Sequence, residues 1–207
     1  MSITDRKERQ KLELRKMILD ASMKLFIEQG YDNVTIRKIA DIIEYSPTTV
    51  YLYFKDKDEI FYHLHEQGFT ILADINKNLA GIDNPLTRLH KMGDNYLQFG
   101  LENPEYYDIM FIQRAPMKAL MQMKDCEWTL GEGALNALRL TMAEAMEKGY
   151  VHKGNVEAAS MMVWGMVHGM VSLAIRERFD KLVPKEEIPA MMNQSLNWFL
   201  SAVDKKG

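Results

Sequence analysis

In the run SPTTVYLYF, from Ser46 to Phe54, the four hydroxyl-bearing side chains Thr48, Thr49, Tyr51 and Tyr53 follow Ser46 closely. Hydroxyls both donate and accept, so such a run can hydrogen-bond base edges and phosphate oxygens. The same stretch supplies its own anchors, because Val50 and Phe54 lie four apart and share one helical face. Ser46 suits an N-cap and Pro47 the first helical position, where its missing N–H costs nothing. Upstream, Ile36, Ile39, Ala40 and Ile43 recur at helical spacing, which predicts a short amphipathic helix over 35–43. Two short helices across a three-residue break make a helix-turn-helix. The chemistry this arrangement implies is the reading of DNA.

The order and spacing of Gly30-Tyr31, Thr35, Ile39-Ala40, Ser46, Tyr51, Tyr53-Phe54 and Lys57 resemble the DNA-binding head of TetR/AcrR-type transcriptional regulators. The resemblance spans about the first third of the chain and implies specific contacts. On its strength Thr48, Thr49, Tyr51 and Arg37 are expected in the DNA groove, and Thr35, Tyr53 and Lys57 on phosphates. Glu44 departs from the pattern, standing where the family usually has glycine. A left-handed turn there costs a non-glycine residue about 1 kcal/mol or more, unless the turn is bent differently.

The 207-residue chain can bury a substantial core, and its formal net charge is −3. Residues 1–55 hold ten Lys/Arg against eight Asp/Glu, and the rest sixteen against twenty-one. A mildly basic head on an acidic body is the polarity expected when only the head meets phosphate. No apolar run is expected to reach the length of a membrane span, and the polar N-terminus lacks the apolar core of a signal peptide. The single cysteine, Cys126, permits no internal disulfide and offers no metal-ligand spacing. These features point to a cytoplasmic protein without cofactor or metal. His63 and His65 are two apart and diverge on a helix, and His90 stands alone. The sequence holds no nucleophile elbow or phosphate loop, so no enzyme reading is supported positively.

The elements around the motif follow from punctuation. A first helix is expected over 6–29, stopped by Gly30. Its basic start (Arg6, Lys7, Arg9, Lys11) reads either as a solvated helix end or as a phosphate-contacting arm. Asp56 and Glu59 form a D-x-x-E capping box ahead of a long connecting helix over 57–79, with Gly68 as a close-packing site or a flex point. Asn84-Pro85 and Asn103-Pro104 start further helices, reaching about Leu101 and Phe111, and 114–116 is a break. A helix ends at Lys148-Gly149, Asn155 caps another reaching about Phe179, and a last one covers 186–203. The fold expected is all-α: an N-terminal three-helix head (1–56), then a connecting helix and a C-terminal ligand-binding and dimerisation bundle (57–207).

Within the penultimate helix, Trp164, His168 and Gly169 read W-x-x-x-H-G, which resembles the WHG-type body of some TetR-like regulators. His168 is either a core histidine with one hydrogen bond or a ligand contact. Thirteen of sixteen methionines follow residue 90, many near aromatics. Methionine packs as plain core or repacks around varied apolar ligands, and the resemblance implies the second. A small lipophilic effector is therefore expected against Phe99, Phe111 and Met166. Asn95, Gln113, Arg114 and His168 are the polar candidates for its other end. Ala158, Met162, Gly165, Gly169 and Ser172 form a stripe of mainly small residues, and the last helix offers Leu196 and Phe199. Such faces pack within one chain or, as the resemblance implies, build a four-helix homodimer interface that presents two heads to a palindromic double-stranded operator. The rival reading is a helical small-molecule-binding or interaction protein whose altered turn has lost DNA.

Overall fold

The computed structural model describes residues 3–114 and 129–204. The elements are α1 (Ile3–Gln29), α2 (Ile36–Ile42), α3 (Pro47–Tyr51), α4 (Lys57–Asn76), α5 (Pro85–Glu102), α6 (Pro104–Tyr107), α7 (Thr129–Glu147), α8 (Val156–Ile175) and α9 (Ile188–Val203). Among the described residues there is no strand, and one isolated bridge pairs Val151 with Asp204. The all-helical expectation holds. Ala115, Pro116 and Cys126 lie outside the described residues.

Two compact units divide the chain. One is built from Met1–Gly68 and Glu105–Glu127, the other from Phe69–Pro104 and Trp128–Gly207.

The first unit buries the inward faces of α1 to α3 and the start of α4. Ile18, Leu25 and Phe26 meet Ile36, Ile39, Ala40, Val50, Phe54, Ile60, Phe61 and Leu64 in one cluster. Every apolar position expected to anchor the two short helices is in it. Ring pairs tighten its centre: Phe26 lies 5.0 Å from Phe61, and Tyr31 lies 5.1 Å from Phe61. α4 starts as its capping box predicts, with Asp56 Oδ1 accepting from Glu59 N at 2.9 Å. Gly68 is a close-packing position. A Cβ there would come within 2.3 Å of Met110 Sδ, so methionine fills the space that glycine leaves. Met110 belongs to a π-helical turn, Asp108–Ile112, that follows α6 where an α-helix was expected. Asn103-Pro104 thus opens only a four-residue α-helix.

The second unit packs α5, α7, α8 and α9. Leu89, Leu138, Met142, Ala145, Met146, Val151 and Val163 form its core, with Phe199 and Val203 packed against them. α4 ends at Asn76, earlier than predicted, because Asn95 Nδ2 donates to Ile75 O at 3.3 Å and Asn76 Oδ1 at 2.9 Å. Asn95 is therefore occupied in holding a helix end. Asn84 and Asn155 cap α5 and α8 as expected.

One expectation is overturned. α8 is 20 residues long with an 18-residue window of mean hydropathy 1.5, enough by length and composition to cross a membrane. The reason is that 158–175 carries no Asp, Glu, Lys or Arg, although Ser, Gly and His interrupt its look. Only its inner stripe is covered by the chain itself: Ser160, Val163, Val167 and Val171 are buried. Met162 stays 54% and Leu173 44% exposed.

Candidate nucleic-acid interface

The turn between α2 and α3 decides how the second helix is presented. Glu44 has φ +59°, so the turn is left-handed without glycine. Tyr45 N donates to Ala40 O at 3.0 Å and Glu44 N to Asp41 O at 3.4 Å. This is a Schellman ending for α2, with Glu44 at the position usually given to glycine. The turn keeps that geometry and carries the strain.

α3 then begins as predicted. Ser46 Oγ accepts from Thr49 N at 3.1 Å, and the Ser46 and Thr49 hydroxyls lie 2.9 Å apart. Val50 is fully buried and Phe54 nearly so. Outward, at i, i+3 and i+4, stand Thr48, Tyr51 (55% exposed) and Leu52 (77% exposed). Arg37 is exposed on α2. Thr35 caps α2, its Oγ1 accepting from Lys38 N at 3.3 Å.

Thr48, Tyr51, Arg37 and Thr35 thus lie open on the head. Thr49 is half-buried with its hydroxyl against Ser46. Tyr53 is half-buried against the head core. Lys57 corrects its assignment to phosphate. Its Nζ donates to Tyr31 O at 3.0 Å and Val34 O at 3.2 Å, and lies 4.1 Å from the Tyr31 ring centre. An ammonium so engaged is a brace. Leu52 escaped the sequence reading, although its i+4 spacing from Thr48 placed it on the outer face.

In the second unit, Trp164 and His168 do share one face, their rings 5.6 Å apart. The polar link between them is Tyr96, which no local spacing reveals. Trp164 Nε1 donates to Tyr96 Oη at 3.1 Å, and that hydroxyl lies 3.3 Å from His168 Nδ1. Indole N–H only donates, so the tyrosine proton can go to Nδ1 of a neutral imidazole. Burial, then the nearby Arg176, push the His168 pKa below its ordinary value, which favours that neutral form. Phe99 is fully buried and Met166 half-buried in this unit.

Two other ligand candidates belong to the first unit. Phe111 sits 5.0 Å from Tyr107, and Arg114 is exposed on a bend. Gln113 Nε2 donates to Asp108 Oδ2 at 2.7 Å.

The α8 stripe faces outward: Ala158, Met162 and Gly165 are exposed, Gly169 and Ser172 half-exposed. A Cβ added at Gly165 or Gly169 would meet nothing within 4 Å. Leu196 is corrected. It is wholly buried and seated on Gly93, where an added Cβ would come within 2.6 Å of its Cδ2, so it belongs to the intrachain core. Phe199 is half-buried in the core, and Trp198 beside it is 76% exposed.

Residues 18–64 match the bacterial regulatory proteins of the tetR family. Residues 89–195, more than half of the chain, match the tetracyclin repressor-like C-terminal domain. The chain belongs to the TetR family. It is a DNA-binding transcriptional regulator, and the family points to regulation rather than catalysis. This TetR-family chain is 22% identical over 189 residues to YobS of Bacillus subtilis (strain 168), an uncharacterized HTH-type transcriptional regulator, covering 91% of this chain and 92% of that one. It is 22% identical over 204 residues to the fatty acid metabolism regulator protein of the same organism, covering 96% and 100%. Among solved structures, AibR in complex with isovaleryl coenzyme A and operator DNA superposes with a TM-score of 0.68 at 15% identity, covering 88% of this chain and 97% of that one. At that identity the likeness speaks to fold alone.

Proposed function

We propose that this regulator is a cytoplasmic repressor that binds a palindromic double-stranded operator as a homodimer and is released by a small lipophilic effector. Residues 1–56 act as the reading head and 57–207 as the effector and pairing body. The observation that carries the DNA reading is the outward face of Thr48, Tyr51 and Leu52 on a helix whose other face is buried, with Arg37 exposed on α2. Pairing is supported by the outer stripe of α8, where Gly165 and Gly169 look onto open space, and by Trp198. Small residues there let a second helix approach closely, and two-fold pairing supplies two heads.

The effector class is taken from the relative that is a fatty acid metabolism regulator protein, and AibR, alike in fold, is seen in complex with an acyl-coenzyme A thioester, isovaleryl coenzyme A. An acyl compound suits the body, with Phe99 and Met166 against the chain and His168 at the polar end. Release follows from linkage: an effector that prefers the body conformation poor in DNA affinity weakens operator binding by its differential affinity, typically about 5- to 150-fold. The test titrates random-sequence and selected duplexes at several salt concentrations, with and without a panel of fatty acids and acyl-coenzyme A thioesters. A steep salt slope, a sequence preference and release by one acyl class support the reading. Equal binding of all duplexes, or none, overturns it.

A further inference from the structure

From Tyr45 to Phe54 the chain has no Arg, Lys, His, Asp, Glu, Asn or Gln. These are the side chains that recognise guanine, adenine and cytosine strongly in the major groove, by bidentate or charge-assisted hydrogen bonds. α3 therefore has none of the strong polar readers. What it exposes is chemically different. Thr48 offers a methyl and a hydroxyl, Tyr51 a 55% exposed ring, and Leu52 a 77% exposed isobutyl group, all on one face. Tyr45, 46% exposed, stands just before the helix. The neighbouring polar groups are engaged elsewhere: the Thr49 hydroxyl against Ser46, and Lys38 Nζ on Gln29 Oε1 at 2.8 Å and Asn33 O at 2.9 Å.

In the major groove one base carries an apolar group, the C5-methyl of thymine. An exposed leucine and a threonine methyl gain by covering it, whereas over guanine or cytosine they bury polar edges without partners. We infer that α3 reads its half-site chiefly through thymine methyl groups, with Leu52 and Thr48 as the specificity-determining contacts. This rests on the DNA-reading function proposed above. Arg37, exposed on α2, is the side chain nearest this face with the chemistry to recognise a guanine, and it and the exposed Lys55 can both meet phosphate.

The test uses the full-length chain and duplexes selected from a random-sequence pool. Enriched half-sites are expected to hold thymine at two or more positions. Resynthesis with deoxyuridine at those positions removes only the methyl and leaves every hydrogen-bonding group and phosphate in place. Each methyl lost is expected to weaken binding roughly three- to fivefold, with an unchanged salt slope. In L52A one of those losses should vanish, because the variant no longer has the group that covers the methyl. Leu52 is exposed, so an unchanged thermal melt is expected to confirm that the head stays folded. Enriched sites without thymine, or thymine and deoxyuridine sites bound alike, overturn the inference while leaving sequence-specific DNA binding intact. A pool that shows no enrichment overturns both.

Discussion

Lys57 and Tyr31 grip each other across 26 residues: the ammonium lies 4.1 Å from the tyrosine ring centre and donates at 3.0 Å to the same residue's carbonyl. Tyr31 OH in turn donates to Asp58, the next residue of α4. The first turn of α4 thereby holds the loop that leads into Thr35 and α2.

Replacing Lys57 with methionine keeps the apolar stem and removes the charge. The variant is expected to lose about 1–3 kcal/mol of unfolding free energy in urea, since a charged donor to buried carbonyls and a cation–π contact both go. Its salt slope on random-sequence DNA should stay at the wild-type value. A slope lowered by about one would return Lys57 to the phosphates.

The left-handed Glu44 makes an opposite prediction. Glu44→Gly should stabilise the chain by about 0.5–1 kcal/mol, the relieved strain exceeding the added freedom of the unfolded glycine. Glu44→Val should destabilise it, because a β-branched residue resists φ +59°. Urea midpoints for the three chains decide the matter, and identical midpoints would mean the turn is not left-handed in solution.

Gly93 and Leu196 provide a test of close packing. Alanine at 93 gains helix propensity but meets Leu196 at 2.6 Å, and both positions are buried. A net loss of about 1–2 kcal/mol is expected; Leu196→Ala alone should cost about 2–5 kcal/mol, and the double variant should lose less than the sum, because the second change clears the space. Additive losses would show that the two side chains do not press on one another.

At Gly165 and Gly169 the chain itself has room. Gly169→Leu is therefore expected to leave the monomer folded while shifting sedimentation from dimer toward monomer. A folded variant that stays fully dimeric would remove α8 from the proposed interface.

Acid sensitivity has a named source in the first unit. Burial pushes the His65 pKa down to about 4 from an ordinary 6.5. The unfolded chain then binds the proton more readily, so stability falls as pH drops from about 6.5 toward 4 and levels off below. At pH 5 the loss relative to pH 7 is roughly 2 kcal/mol from this residue. Urea unfolding at the two values should show a smaller drop for His65→Gln than for wild type. An equal drop would place the acid sensitivity elsewhere.

Much of the head was legible because its signals are local. Capping by Thr35, Ser46 and Asp56, and the stripe Ile36, Ile39, Ala40, each need only neighbours within four residues. What stayed hidden depends on partners distant in the chain. Lys57 reads as a free cation until Tyr31 and Val34 fold beneath it. Leu196 reads as a surface position until Gly93 opens a seat for it. Tyr96 gives no hint that it joins Trp164 to His168, since 68 and 72 residues separate them. The π-turn at Asp108–Ile112 has no spacing signature that distinguishes it from an ordinary helix.

α8 leaves most of a 20-residue apolar helix, uncharged from residue 158 onward, uncovered by its own chain. Under the proposed pairing, a newly made copy carries that greasy face through the cell until it meets a second copy. Its lifetime against proteases and chaperones then depends on how many copies are present, and stability measured at one concentration does not transfer to another. Where pairing is weak, operator occupancy rises with the square of the free chain concentration. A modest change in synthesis would then move the regulated genes further than any single-site binding curve allows.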